Sequence, residues 1–226
     1  MKRNYTLVNV IMFIVALIPL GYLALVYDQL PPQVPVHFDA QMQPDRISNK
    51  SELWIMSSIM AGASMLVYFL LQKIYLFDPK RRNRAGIETF NKLGAGLVIF
   101  FAALNIVIII SAQKEGVNME NLLFPLIGLL FVFLGNYMPA LKPNYFAGIR
   151  LPWTLSDDEN WRKTHQLGGK IWFWGGLLFA ILSLFLQKQV ILPFFIAIIL
   201  IMVLIPAVYS YTMFRDKVKK ENSTQS

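Results

Sequence analysis

The chain alternates between long apolar runs and short polar connections. Six runs are each close to the length that crosses a bilayer core as a helix: residues 5–27, 53–71, 93–112, 122–141, 171–186 and 190–214. No Lys, Arg, Asp or Glu interrupts any of them. Pro125, Pro193 and Pro206 fall inside runs, which membrane helices tolerate because neighbours and water satisfy the freed carbonyls. Only Gln187, Lys188 and Gln189 separate the last two runs, so these two are antiparallel neighbours. The pattern predicts an all-α integral membrane protein of six transmembrane helices.

Composition supports this reading: 56% of the 226 residues are hydrophobic and 15% charged, too little polar surface to cover a soluble core of this size. The first run follows Lys2 and Arg3 but exceeds a signal-peptide core and lacks a small-x-small site before "DQLPPQ", so it reads as a retained span. Basic residues set the orientation. The N-terminus, the connection after run two (with Lys80, Arg81, Arg82 and Arg84), the connection after run four and the C-terminal tail lie on one side of a six-span protein. They hold seventeen of the 21 Lys and Arg residues. Both termini are therefore expected in the cytoplasm. The net charge of +8 is then what topology requires and carries no nucleic-acid signal. With no cysteine, thiol catalysis, disulfides and zinc thiolate sites are excluded.

Two polar connections carry information. Residues 28–50, on the outer side, contain Pro31, Pro32 and Pro35, which impose extended geometry. Val34, Val36 and Phe38 then alternate with polar or proline positions as in a short strand, and Asp39, Pro44 and Asp45 are turn formers. This predicts a small extended extracytoplasmic cap between helices one and two. His37, Asp39 and Asp45 are its candidate functional residues; as metal ligands they compete with the plainer roles of turn caps and a solvated imidazole, and no metal or cofactor is assigned.

The second connection, "NYFAGIRLPWTLSDDENWRKTH" (144–165), is densely charged and lies on the cytoplasmic side. Its "LPWTL" is read as extended around Pro152. Ser156 and Glu159 fit a capping box, N-cap and N3, opening a short interfacial helix of about three turns between helices four and five. Trp161, His165 and Gly168 recur at helical spacing as one stripe, facing the membrane or the bundle.

The segment 135–170 also resembles the SdpI family of bacterial membrane proteins. The resemblance rests on Gly135-Asn136, Lys142 to Asn144, Gly148 to Arg150, Pro152 to Leu155 and Trp161 to His165, in that order. "LPPQVPVHFDAQMQPDR" is similar to the small N-terminal domain of unknown function that often precedes it. The chain departs from the family pattern at Leu151, where many relatives have Thr, and at Met42, where Gly is usual. On this basis 1–76 is an N-terminal two-helix region bearing the cap, 77–92 a basic cytoplasmic loop, 93–214 an SdpI-like four-helix region with its hallmark loop at 135–170, and 215–226 a disordered tail.

The resemblance implies a protein of the bacterial cytoplasmic (inner) membrane. It further implies immunity to, or sensing of, a secreted antimicrobial peptide toxin on the outer face, with a soluble transcriptional repressor held on the cytoplasmic face. Membrane lipid is the remaining partner. Candidate partner-binding residues are Arg150, Trp153, Trp161, Lys163, His165, Asn144 and Asn136: Arg offers several donors to an acidic group, and Trp a large contact face. The alternatives are a transporter of a neutral or amphipathic substrate, or a structural subunit of a membrane complex. Transport has only neutral polar groups inside its spans to work with, such as Asn9, Ser64 and Asn105. An enzyme is not expected, since no span pairs carboxylates on one face and no nucleophile elbow is present.

Overall fold

The computed structural model of the chain describes residues 5–39, 43–77, 86–113 and 119–224. Lys80, Arg81, Arg82, Arg84 and Met42 lie outside them, so the expectations resting on the basic loop and on the Met42 turn are not addressed by the fold. The apolar runs form long helices: α1 (Tyr5–Val26), α2 (Glu52–Lys73), α3 (Ile87–Gln113), α4 (Glu120–Tyr137), α6 (Asp158–Leu182) and α7 (Lys188–Thr224). A five-residue helix, α5 (Pro152–Ser156), precedes α6. Five of the six long helices are both long and apolar enough to cross a membrane; α6 is the exception. Its 25 residues reach about 37 Å, more than the ~30 Å hydrocarbon core. Its first half, however, carries Asp158, Glu159, Arg162, Lys163 and Lys170, and only its second half is apolar.

The molecule is not wholly helical. Strands β1 (Gln33–Phe38) and β2 (Pro44–Asn49) pair antiparallel, Val34 opposite Ser48 and His37 opposite Arg46, with an irregularity in register around His37. The alternation does the work expected of it: Val34 and Val36 turn inward and are buried with Leu23, Val26, Leu53 and Ile109. Lys50 ties the hairpin to the chain just past α1, donating to the carbonyls of Tyr27 (2.9 Å) and Leu30 (3.3 Å).

The helices fall into two triplets. In one, α3 packs on α1 and α2, with a buried bond from Ser57 Oγ to Asn105 Oδ1 (2.9 Å). In the other, α4 packs on α6, which packs on α7. The α4–α6 seam is made of small residues. A Cβ at Gly176 would lie 2.7 Å from the Gly128 carbonyl oxygen, and one at Gly169 would lie 2.8 Å from that of Gly135. Only glycine lets the two backbones approach so closely, and small residues of this kind are enriched where helices associate in lipid. The Gly128–Gly176 and Gly135–Gly169 contacts also show that α6 runs antiparallel to α4 along most of its length.

Pro206 illustrates how an interior proline is absorbed. Lacking an N–H, it cannot bond the carbonyl four residues back, that of Met202. The indole Nε1 of Trp172 on α6 donates to that oxygen instead (3.0 Å).

Three expectations for the hallmark segment are corrected. "LPWTL" is not extended: Leu151 is, but Pro152 starts α5 at its first position, where a missing N–H costs nothing. The N-cap of α6 is Asp157, not Ser156, because Ser156 is already the last residue of α5. Nor is there a separate interfacial helix, since the turns from Asp158 run without a break into the apolar half of α6. The stripe of Trp161, His165 and Gly168 faces the bundle, where all three are buried.

Candidate functional site

From Leu141 to Leu151, between α4 and α5, the chain has no helix or strand, so side chains must satisfy its peptide groups. Asn144, completely buried, does most of this. Its Oδ1 accepts from the N–H groups of Phe146 and Ala147 (both 2.8 Å), and its Nδ2 donates to the carbonyls of Lys142 (2.8 Å) and Ala147 (3.1 Å). The Thr154 hydroxyl, also buried, donates to the Ile149 carbonyl (2.8 Å) and accepts from Leu151 N–H (2.9 Å). The loop is thereby closed at both ends.

His165 locks the loop to α6. Its Nε2 accepts from Ile149 N–H (3.0 Å) and its Nδ1 donates to the Trp161 carbonyl (2.8 Å). That pair of bonds requires the neutral tautomer with the proton on Nδ1. Burial favours the same state, pushing the imidazole pKa down to about 4. Gly148 is essential to the fit. Its φ of +104° lies in the left-handed region, and a Cβ there would run into His165 Nε2.

Trp161 lies under this lock, its ring stacked on His165 with centroids 4.0 Å apart and its Nε1 donating to the Leu141 carbonyl (2.8 Å). It is 1% exposed and belongs to a cluster with Phe90 and Leu93 of α3, against which Leu71 of α2 packs. Trp161 therefore joins the two helix triplets at the hallmark end.

A second set of contacts clasps α7. Trp153 donates from Nε1 to Ser210 Oγ (2.8 Å), stacks on Phe214 and meets Tyr211 edge-on. Asn160 Nδ2 donates to the Ser210 carbonyl (2.9 Å). Asp157 accepts the Glu159 and Asn160 N–H groups (2.8 and 3.2 Å) and pairs with Lys217 (2.9 Å). The Lys217 bond, with the two N–H groups, holds the Asp157 carboxyl below the usual carboxylate range.

The seven hallmark candidates thus divide by exposure. Asn144, Trp161 and His165 are enclosed, and Trp153 is half-buried against α7. Arg150 is exposed, one guanidinium nitrogen donating to the Tyr145 carbonyl (2.7 Å). Lys163 pairs with Glu159 one turn earlier (2.8 Å), which raises the lysine pKa and lowers that of the glutamate. Asn136 is exposed in the last turn of α4. At the opposite end, His37 Nδ1 bonds Asp45 Oδ1 (2.6 Å) and Asp39 Oδ1 accepts from Gln43 N–H (2.8 Å). Among the described residues, no three His, Asp or Glu side chains gather as a metal site would need.

Sequence reasoning missed Asp157, Thr154, Asn160, Ser210 and Lys217. Thr154 and Asp157 stood within the quoted segment, and Asp157 beside Ser156 was an equally good N-cap by residue type. Ser210 and Lys217 lie 57 and 60 residues from their partners, and nothing local marks them.

A family model described as the SdpI/YfhL protein family matches residues 140–210. A second model, a domain of unknown function (DUF1648), matches 14–61. The chain resembles the SdpI family over this segment. The SdpI match begins inside the hallmark loop and ends at Ser210, so it encloses both Ser210 contacts of the α7 clasp. Among curated proteins, the Immunity protein SdpI of Bacillus subtilis (strain 168) is 23% identical over 196 residues, covering 87% of this chain and 91% of that one. No solved structure matches. These similarities, with five helices among the described residues long and apolar enough to cross a bilayer, make this a multi-pass membrane protein.

Proposed function

We propose that this SdpI-like protein confers immunity to, or senses, a secreted antimicrobial peptide toxin. The observation that carries this reading is the similarity to an immunity protein over most of both chains. On this reading α6 is a sixth crossing of a bacterial inner membrane, with both termini and the hallmark loop in the cytoplasm, as the distribution of Lys and Arg favours. The hairpin and the outer helix ends meet the peptide, and the hallmark end meets a soluble repressor. Arg150 is the best-placed contact for such a partner, because its guanidinium is exposed while its neighbours are engaged inside the fold.

The transporter alternative finds no support in the interior. Asn9 accepts from Tyr68 and Gln72, Ser64 bonds the Ala61 carbonyl, and Asn105 pairs with Ser57. Among the described residues these groups are engaged in hydrogen bonds within the protein.

Expression in a sensitive host, with survival scored against a panel of secreted amphipathic peptides, tests the proposal. Protection is expected; no protection from any peptide, with the protein confirmed in the membrane, overturns it. Arg150→Ala is expected to lower activity about tenfold or more without lowering the amount in the membrane. Trp153→Ala would also loosen α7, so the arginine variant is the cleaner probe. Reporter fusions after Ser48 should read outside, and after Asp158 and Asn222 inside.

A further inference from the structure

We infer that a polar notch on the α4–α6 seam binds the phosphate of an anionic phospholipid, drawn from the leaflet on the hallmark side. Gly135 and Gly169 bring the two backbones together at this level. The next residue on each helix, Asn136 or Lys170, lies about 100° further round its axis. Because the helices run antiparallel, both residues turn to the same side of the seam. Gln166, one turn before Lys170, shares that side, and all three are exposed. The other side is closed by α7, since a Cβ on Gly168 would lie 3.6 Å from Pro206 and Trp172 donates to the Met202 carbonyl.

The notch sits deeper than polar groups usually do. α7 packs antiparallel on α6 with Pro206 beside Gly168, and its apolar run continues from Pro206 to Phe214, about 12 Å of helix. Val208 (60% exposed) and Tyr211 (48% exposed) in that stretch face outward. On α4 the chain also stays apolar from Tyr137 to Leu141. Lys170 therefore starts within the hydrocarbon slab of its neighbours, and its stem can carry the ammonium only part of the way out. Among the described residues, Asn136, Gln166 and Lys170 make no side-chain hydrogen bond or ion pair within the protein. A charge at that depth is costly unless an anion or water meets it.

Three features select the occupant. The notch presents an ammonium and two amide NH2 groups with no carboxylate among them, which suits the acceptor-only oxygens of a phosphodiester. The acids of α6 lie in its first turn, and Glu159 there already pairs with Lys163 (2.8 Å). A second copy of this chain cannot supply the anion, since no Asp or Glu interrupts any of its apolar runs. The exposed stripe of α6 then turns apolar with depth, at Trp174 (65% exposed) and Leu178 (51% exposed). A molecule seated here thus has its charged head toward the hallmark end and its hydrocarbon toward the bilayer centre, the order found in a phospholipid and absent from free phosphate. The inference rests on the reading of α6 as a crossing helix, and not on toxin immunity.

Binding of dioleoylphosphatidylglycerol to the full chain in a neutral detergent, read by native mass spectrometry, tests the assignment. It should bind about tenfold tighter than dioleoylglycerol, which has the same acyl chains and no phosphate. Inorganic phosphate should not displace it. Lys170→Gln should weaken binding about fivefold and Asn136→Leu about threefold, while Lys170→Arg retains it. Lys219→Gln with Lys220→Gln removes two exposed positive charges beyond the apolar run of α7 and should leave binding unchanged. Equal binding of the two lipids, displacement by phosphate, undiminished binding by Lys170→Gln, or as large a loss in the tail variant overturns the inference. Labelling the turn at Gln187 to Gln189 in cells checks α6 separately. A turn on the hallmark side overturns the crossing and this inference together, whereas indifferent lipid binding with the turn on the far side overturns this inference alone.

Discussion

His165 shows how a single side chain can decide the state of a loop. It works as an acceptor at Nε2, so protonation there would set two N–H donors facing each other and break the lock on Ile149. With a folded-state pKa near 4, below the ordinary 6.5, the unfolded chain takes up the proton first. The stability that depends on the neutral ring is complete above about pH 6.5. It falls by about 1.4 kcal/mol per pH unit below that, to a total loss of roughly 3 kcal/mol near pH 4. Thermal unfolding in detergent from pH 7.5 to 4.5 should show this decline in wild type. His165→Gln should be less stable at neutral pH and show a flatter profile; equal slopes would mean another group titrates. The spacing of Trp161 and His165 was legible in the sequence, and so was their shared face. That the face is internal was not, because it depends on the path of a loop whose shape Asn144 and Gly148 set.

At the level of elements, the start of α6 and its seam with α4 carry the clearest consequences. Asp157→Ala removes an N-cap and should destabilise the protein by about 1 kcal/mol. A double-mutant cycle with Lys217→Ala should find only a weak coupling, since the lysine is more than half exposed. Gly135→Leu should lower the unfolding temperature far more than Gly21→Leu, because a Cβ at Gly135 meets the α6 backbone while one at Gly21 meets nothing within 4 Å. Similar losses in both variants would show that the seam is looser than described. The apolar runs announced the long helices well, since length and freedom from charge are properties of the run itself. The α5–α6 boundary was misplaced by one residue because Ser156 and Asp157 are both good caps by type. Only the helical turn begun by Pro152 decides between them.

For the whole molecule, the sequence divided α3 from α1 and α2 by the position of a loop, whereas packing joins all three and sets α4, α6 and α7 apart. Such groupings are long-range and leave no periodicity to read. The half-polar character of α6 bears on how the protein is made. An apolar helix can leave the insertion machinery on its own account; α6, with its first turns charged and its interior polar groups satisfied by α7, has little reason to do so alone. Its partners at Ser210 and Met202 are synthesised after it, so, on the proposed reading of α6 as a sixth crossing, its entry into the bilayer is expected to wait for α7. A reporter fused to a chain stopped after Leu186 should then read mostly cytoplasmic, and one fused to a chain extended past Phe214, with Gln187 to Gln189 labelled, should place that turn outside. The α4–α6 glycine seam would hold the late arrival once α7 had delivered it.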